Sequence, residues 1–308
     1  MIVNVFGGWL RNAGSSWRAI TDRPDLWLTA SLGSVASLAW LPLLLSVAAL
    51  PRASDLAFLG AGLLGSSLYP WNVLLLAGVA TLVVLGACLL AGLAEAALLR
   101  GAGRGTPGRS LTRDTEAAFS VLLIAWLPAV AIATALTSGI AAVAPVEFGA
   151  PDIGGPLVLR ILGHLVPLVV GLVAFVLIGQ AFGATALRRA VGAGAVPVGT
   201  ALRGGLRDLL ARPLRRLATA VVSTLVSLGA LAVATVLLRQ LWAPIQAELT
   251  GGQLVSPRAG LLLVGFVAVW LALVLAFGAL HAWVSAWWSL ELGLAGEGAR
   301  PTLQEANP

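Results

Sequence analysis

Residues 261–290 read LLLVGFVAVWLALVLAFGALHAWVSAWWSL, a run of 30 residues without lysine, arginine, aspartate or glutamate. About 20 mostly apolar residues suffice for a helix to cross the roughly 30 Å of bilayer hydrocarbon. This run therefore predicts a transmembrane helix that is long enough to tilt or to extend into the membrane interface.

Five further stretches have the same apolar character. With the run at 261–290 they make six predicted spans, which are Trp27–Leu50, Trp71–Leu99, Ala117–Val143, Leu157–Leu187, Leu217–Leu238 and Leu261–Leu290. Pro128 lies inside the third stretch, but a neighbouring helix or a hydroxyl group can satisfy the carbonyl that a proline leaves free. The sequence thus predicts an all-α polytopic transmembrane helical bundle of six spans.

Composition supports the same class of protein. The chain has 308 residues, of which 59% are hydrophobic and 10% charged, whereas a soluble domain carries about 25% charged residues. A chain this apolar cannot cover a water-facing surface. We expect one membrane domain over residues 1–297 and a disordered tail over residues 298–308.

The arginines predict the orientation. All 19 basic residues are arginine, a bias that favours a GC-rich bacterial source. Fifteen of them lie in the N-terminal segment, the second and fourth loops and the tail, and four on the other side. Because arginine is enriched in cytoplasmic loops, both termini are expected in the cytoplasm, and the membrane is expected to be the bacterial plasma membrane.

The basic segments are predicted to contact lipid headgroups. A nucleic-acid-binding protein would need a basic soluble module, which this chain lacks, so no nucleic-acid partner is expected. Leucines at 202, 206, 209 and 210 predict an interfacial helix within Thr200–Leu217 that lies on an anionic leaflet. The predicted headgroup-binding residues are Arg203, Arg207, Arg212, Arg215 and Arg216.

An internal repeat is indicated by a motif after each even-numbered span. The three copies, each with two glycines before a proline, begin at Gly103, Gly192 and Gly296. Glycine and proline at these positions end a helix. We infer three parallel two-span units with cytoplasmic interfacial lead-in helices, covering about 9–105, 106–197 and 198–297 and related by an axis along the membrane normal.

Two segments also carry a family resemblance. They are the Trp17…Arg23-Pro24…Trp27 pattern and the linker Ala186-Leu187-Arg188…Ala201-Leu202-Arg203. In these the chain resembles uncharacterised bacterial six-span proteins grouped with the glycerophosphoryl diester phosphodiesterase membrane domain. The phosphodiesterase catalytic domain with its metal ligands is missing, so the resemblance implies a membrane module without hydrolysis.

Ionisable residues inside the membrane are the default candidates for function. Arg160 and His164 share a face of the fourth span, and with Gln180 they could line a path for a solute or an anion. The alternative is that Arg160 extends to the outer interface and Gln180 joins helices. In either case Asp152 or Glu147 is the expected partner of the basic pair.

A second set lies toward the cytoplasmic ends of the even-numbered spans. Glu95, Glu291 and His281 are candidates for a proton relay or, alternatively, for interface anchors. Tryptophans near the span ends are expected to form an aromatic interface belt. These residues are Trp27, Trp71, Trp242, Trp283, Trp287 and Trp288.

No catalytic motif is present, and the two histidines without a carboxylate cluster predict neither a metal site nor a cofactor. We therefore expect a protein that is not an enzyme. The favoured function is an accessory, scaffold or assembly component with a membrane-protein partner. The alternative is a transporter for a small solute or a lipid, which the sequence leaves open.

Overall fold

The structure, a computed structural model, describes residues 2–37, 39–47, 62, 65–148, 157–192, 194–250 and 257–293. Helices account for the regular secondary structure of these residues. They are α1 (Ile2–Thr21), α2 (Asp25–Ser37), α3 (Leu41–Val47), α4 (Trp71–Gly101), α5 (Leu111–Phe148), α6 (Leu157–His164), α7 (Val166–Val191), α8 (Val198–Ala211), α9 (Pro213–Thr250) and α10 (Pro257–Glu291).

Five helices in the described part of the chain are long and apolar enough to cross a membrane, namely α4, α5, α7, α9 and α10. The pair α2 and α3 would make a sixth span if it acts as one, but its axis bends by 52° at the break between the two helices. The chain is therefore a multi-pass helical membrane protein. The predicted tail at 298–308 lies outside the described residues.

Two predicted spans are broken rather than continuous, and in both a proline follows the break. In the first span, Pro42 is the second residue of α3; in the fourth, Pro167 is the second residue of α7, and the break is at Leu165. Proline has no backbone N–H and fits best in the first turn of a helix. A proline inside a span therefore favours a break just before it. By contrast, α5 continues through Pro128 and Pro145.

The helices form a closed ring. Each of α2, α4, α5, α7, α9 and α10 packs against the next in this order, and α10 returns to α2. The closing contact is tight because Gly278 of α10 lies against the Trp27 carbonyl of α2, where an added Cβ would be only 2.4 Å from the oxygen. A larger residue at 278 would force these two helices apart.

Burial is concentrated at one end of the ring. Buried residues of α4 begin at Gly92, those of α7 at Ala181, and those of α10 cluster from Phe277 to Glu291. At the opposite end most of residues 71–90 of α4 are exposed, whereas α9 and α10 stay packed with α3 around Leu238, Ile245 and Phe266. The bundle is thus most closely packed at its arginine-rich end, and the far half of α4 is left uncovered.

The turns after α4, α7 and α10 contain left-handed glycines, and in the first two turns the glycine belongs to the predicted motif. The backbone φ is +68° at Gly103, +79° at Gly194 and +74° at Gly293. In the third turn the residue is Gly293, and the motif that begins at Gly296 lies outside the described residues. Only glycine adopts this conformation without steric strain, so these positions end the helices.

The lead-in segments predicted for the three units differ from one another. The predicted interfacial helix before the fifth span is α8, and Pro213 begins the next helix. Ala201, Gly205 and Leu209 of α8 are buried, whereas Leu206 is exposed together with the neighbouring arginines. The middle unit has no separate lead-in helix, because α5 starts directly at Leu111.

The prediction of an aromatic interface belt is wrong for two tryptophans of α10. Trp287 and Trp288 are 1% and 2% exposed and lie inside the protein. Trp287 contacts Trp9 of α1, with ring centroids 5.0 Å apart, and stacks on Trp283 at 5.3 Å. Because α1 also presents an apolar face to α10, these rings are removed from the interface and attach α1 to the bundle. Trp71, at 72% exposed, keeps the expected surface position.

Candidate functional site

The interspan cluster is a buried polar group at the level where α4, α7 and α10 come together. It consists of Glu95, Arg188, His281, Ser285 and Ser289. The three helices that carry these residues are far apart in sequence, and each contributes at least one of them. The cluster is therefore a product of the tertiary structure.

Arg188 is the centre of the interspan cluster and is 2% exposed. Its Nη2 donates to the carbonyl oxygen and to the hydroxyl of Ser285, at 2.8 and 3.0 Å, and its Nε donates to Ser289 Oγ at 3.2 Å. Its Nη1 donates to the Ala184 carbonyl at 3.0 Å. With these acceptors the buried guanidinium avoids the large cost of unpaired donors.

Glu95 supplies the counter-charge. Its Oε2 lies 3.6 Å from Arg188 Nη2 and accepts a hydrogen bond from Ser285 Oγ at 2.8 Å. Its other oxygen, Oε1, lies 3.3 Å from His281 Nε2. A buried carboxylate is tolerated in a bilayer only when it is paired and hydrogen-bonded, and Glu95 meets both conditions.

His281 and Glu95 thus belong to one site, whereas the sequence places them in one set of candidates with Glu291 and predicts no contact between them. The sequence does not predict Arg188 as their partner, because it is one of two adjacent arginines at the end of a predicted span. The helical spacing offers a signal, since Arg188 shares a helix face with Ala181 and Thr185, seven and three residues before it. The proton-relay role of these residues stays a prediction.

Glu291, the third candidate of this set, lies in a different contact. It pairs with both the Nε and the Nη2 of Arg215, and its Oε1 accepts a hydrogen bond from Asn12 Nδ2 at 2.8 Å. Arg216 Nη1 donates to the Glu291 backbone carbonyl at 3.0 Å. The Glu291 side chain is fully buried, so it joins α1, α9 and α10 from inside.

Ion pairs also join the turns to the helices that follow them. Asp114, fully buried, lies 2.8 Å from Arg100 Nε and 3.1 Å from Arg109 Nε. Arg189 makes two hydrogen bonds to Asp208, at 2.7 and 2.9 Å. In both cases an arginine near the end of one span holds an aspartate of the next segment, which fixes the turn between them.

The first two turns contact one another. Gly105 and Gly192 form an isolated antiparallel bridge, and Thr106 Oγ1 donates to the Gly192 carbonyl at 2.8 Å. Arg104 lies in the first turn, where burial lowers its pKa from the usual arginine value. The arginine-rich end is thereby covered by interlocked turns and not only by helix ends.

At the opposite end, the predicted basic pair has the predicted partner. Arg160 Nε lies 3.0 Å from Glu147 Oε2, and His164 Nε2 lies 2.9 Å from Glu147 Oε1. Gln180 accepts a hydrogen bond from Thr224 Oγ1 at 2.7 Å and so joins α7 to α9. The carboxylate offsets the positive charge of the pair. A solute or anion path through these residues stays a prediction.

The predicted headgroup arginines fall into two groups. Arg203, Arg207 and Arg212 are exposed, as contact with lipid requires. Arg215 and Arg216 instead turn toward Glu291, and Arg216 is only 4% exposed. The sequence could not separate the two groups because the arginines are close together in the chain.

Within the described residues, no group of three or more histidine, cysteine, aspartate or glutamate side chains is arranged to hold a metal ion. Comparisons of the chain with known protein families, curated proteins and solved structures find no match. The resemblance to the phosphodiesterase membrane-domain group stays a prediction based on its sequence motifs.

Proposed function

We propose that this protein is a non-catalytic component of a bacterial plasma membrane system, in which it serves as a scaffold or assembly partner for another membrane protein. The observation that carries the proposal is the contrast between the two ends of the bundle. The arginine-rich end is locked by paired charges, and the other end exposes apolar helix surface. A rigid base with exposed apolar helix surface suits a protein that holds a partner.

In this proposal the interspan cluster holds α4, α7 and α10 together. Arg188 has acceptors at its Nε, Nη1 and Nη2 atoms, and Glu95 has partners at both oxygens. A site that binds and releases an ion needs ligands that are free in one state. The acceptors around Arg188 favour a structural role, although the buried His281 Nε2 makes no hydrogen bond within the described residues.

The outer half of α4 is the proposed contact for a partner helix. Leu75 is 73% exposed, and an added Cβ at Gly78 or Gly86 would meet no atom within 4 Å. Small residues allow two transmembrane helices to approach closely, which is the main source of their affinity in lipid. A partner helix can therefore pack against this segment without displacing another part of the chain.

Photo-crosslinking in the native membrane tests the proposal. A photoreactive phenylalanine analogue at Leu75 is expected to capture a discrete second polypeptide, which mass spectrometry can identify. The matched control is Leu261 of α10, which is 74% exposed. If both positions capture only lipid, the partner-binding surface on α4 is refuted.

We further propose six spans in three parallel units, with both termini cytoplasmic. Three relations support this arrangement. The helices α2 and α3 together have the composition of a span, α1 packs on α10 as α8 packs on α7, and the Arg100–Asp114 pair corresponds to the Arg189–Asp208 pair.

Cysteine labelling tests this topology. In a Cys88→Ala background, Arg113→Cys should be shielded from a membrane-impermeant maleimide in intact cells, and Val146→Cys should react. Both positions are exposed in the fold, so burial cannot explain a difference. The reverse labelling pattern would invert the orientation.

A transporter is the second candidate, favoured by the ionisable side chains of Glu95, Arg188 and His281 within the helices. In that case the interspan cluster would be part of the path of the solute. Replacement of Arg160 and His164 distinguishes the two functions, because loss of a transport phenotype with intact expression is expected only for the transporter.

A further inference from the structure

A cavity of about 680 Å³ lies at the arginine-rich end, among α7, α8, α9, α10 and the adjoining turns. Two carboxylates line it, Asp208 and Glu291, and the excess positive charge is three because five arginines line it as well. The five are Arg188, Arg189, Arg212, Arg215 and Arg216. Such a concentration of guanidinium groups around a cavity is suited to a phosphate group.

Two of these arginines have donors left over. Arg212 is exposed and makes no ion pair with a carboxylate of the described residues. Arg216 has a side chain that is 5% exposed, and its buried Nε has no hydrogen-bond acceptor in the part of the chain that the structure describes. A buried donor without an acceptor is costly, and an oxygen of a bound anion would remove that cost.

The first lead-in segment provides an internal comparison. Arg23 precedes Pro24 as Arg212 precedes Pro213, but Arg23 makes two hydrogen bonds to Asp25, at 3.0 and 2.8 Å. It also donates to the Gly101 carbonyl at 3.1 Å. An arginine in this position can thus be paired within the chain, whereas Arg212 has no such pairing among the described residues.

An exposed face of α8 adjoins the cavity. It carries Leu206 and Leu210, with Arg203 and Arg207 beside them, and Ala211 lies next to both this face and the cavity. Leu206 and Leu210 are 49% and 69% exposed. A ligand that joins a phosphate to an apolar portion could place the phosphate in the cavity and the apolar portion on this face, which favours a phospholipid over free phosphate.

We propose that this cavity binds the phosphate group of an anionic phospholipid. Arg212 and Arg216 donate to the phosphate oxygens, and Leu206 and Leu210 contact the apolar portion. The site is independent of the proposed scaffold function, since a scaffold and a transporter could each bind a lipid here.

Native mass spectrometry of the purified full chain tests this site, with phosphatidylglycerol and phosphatidylcholine titrated separately. The wild type should bind phosphatidylglycerol in preference to phosphatidylcholine. Arg212→Gln should weaken phosphatidylglycerol binding roughly fivefold to tenfold, as expected for the loss of a charge-assisted hydrogen bond. The matched control is Arg113→Gln, which removes an exposed arginine outside the cavity and should leave the affinity unchanged.

Three results would overturn the proposal. Equal weakening by Arg212→Gln and Arg113→Gln would indicate general surface charge, and equal affinity for the two lipids would show that the phosphate site is not selective for an anionic headgroup. The third result concerns the source of the phosphate. If inorganic phosphate binds as tightly as the lipid and Leu210→Asn leaves lipid binding unchanged, the site takes free phosphate and the lipid assignment is wrong.

Discussion

Replacement of Glu95 by glutamine should destabilise the bundle by removing the counter-charge of Arg188. The substitution keeps the size of the side chain and an oxygen that can accept the hydrogen bond from Ser285. What it removes is the negative charge beside a guanidinium that is 2% exposed. The effect therefore reports on the ion pair and not on packing.

The magnitude follows from the geometry of the cluster. Breaking a buried ion pair by removing one partner typically costs about 3–5 kcal/mol. Here the Glu95–Arg188 separation of 3.6 Å is longer than a hydrogen bond, and Arg188 keeps its bonds to Ser285 and Ala184. We therefore expect a loss of about 2–3 kcal/mol in the free energy of unfolding, below the usual range for a buried pair.

The assay is unfolding of the protein in mixed micelles by titration with SDS, followed by tryptophan fluorescence. Buried Trp287 and Trp288 make the signal sensitive to unfolding of the packed end. The control is Glu116→Gln, an exposed glutamate that should change the free energy by less than about 0.5 kcal/mol. The double variant Glu95→Gln/Arg188→Gln should show a coupling energy of at least about 1 kcal/mol.

Two outcomes would refute this reasoning. One is an effect of Glu95→Gln that equals that of Glu116→Gln within error. The other is additivity of the Glu95 and Arg188 substitutions, because residues that form one network cannot be energetically independent. Either result would mean that the interspan cluster does not hold the three helices together.

Three further substitutions test the packed end by the same unfolding assay. Gly278→Ala should lower the free energy of unfolding by about 1–3 kcal/mol because its Cβ would strike the Trp27 backbone carbonyl. Gly265→Ala, with open space around it, should be neutral or slightly stabilising. Trp287→Ala should cost about 3–5 kcal/mol, and Trp71→Ala, at an exposed site, less than about 1 kcal/mol. Asp114→Asn should cost about 2–3 kcal/mol and speed tryptic cleavage within residues 102–110; unchanged cleavage would show that its ion pairs do not hold that turn.

Much of the fold was predictable from local sequence. Five of the six predicted spans correspond to helices of sufficient length and hydropathy, although the fourth is shortened by the break at Leu165. The left-handed turn glycines were predictable at Gly103 and, within its motif, at Gly194. The breaks were harder to predict, because a proline inside a span can end a helix, as at Pro42, or be accommodated, as at Pro128.

The candidate site was predictable only in part. Glu95, His281 and Glu291 stood out because ionisable residues are rare in apolar spans, and Glu147 was predicted as a partner of Arg160 and His164. Their other partners were not predicted. Pairing depends on how each helix is rotated about its axis and where it crosses its neighbours, and neither quantity is encoded in a single span.

The sequence by itself determined that this is a helical membrane protein, because hydropathy and arginine content act over one span and its adjacent loops. Only the tertiary structure decided which charges are paired, that Trp287 and Trp288 are internal, and that the far half of α4 is left exposed. These features require contacts between residues such as 95, 188 and 285, which approach one another only when the ring of helices closes.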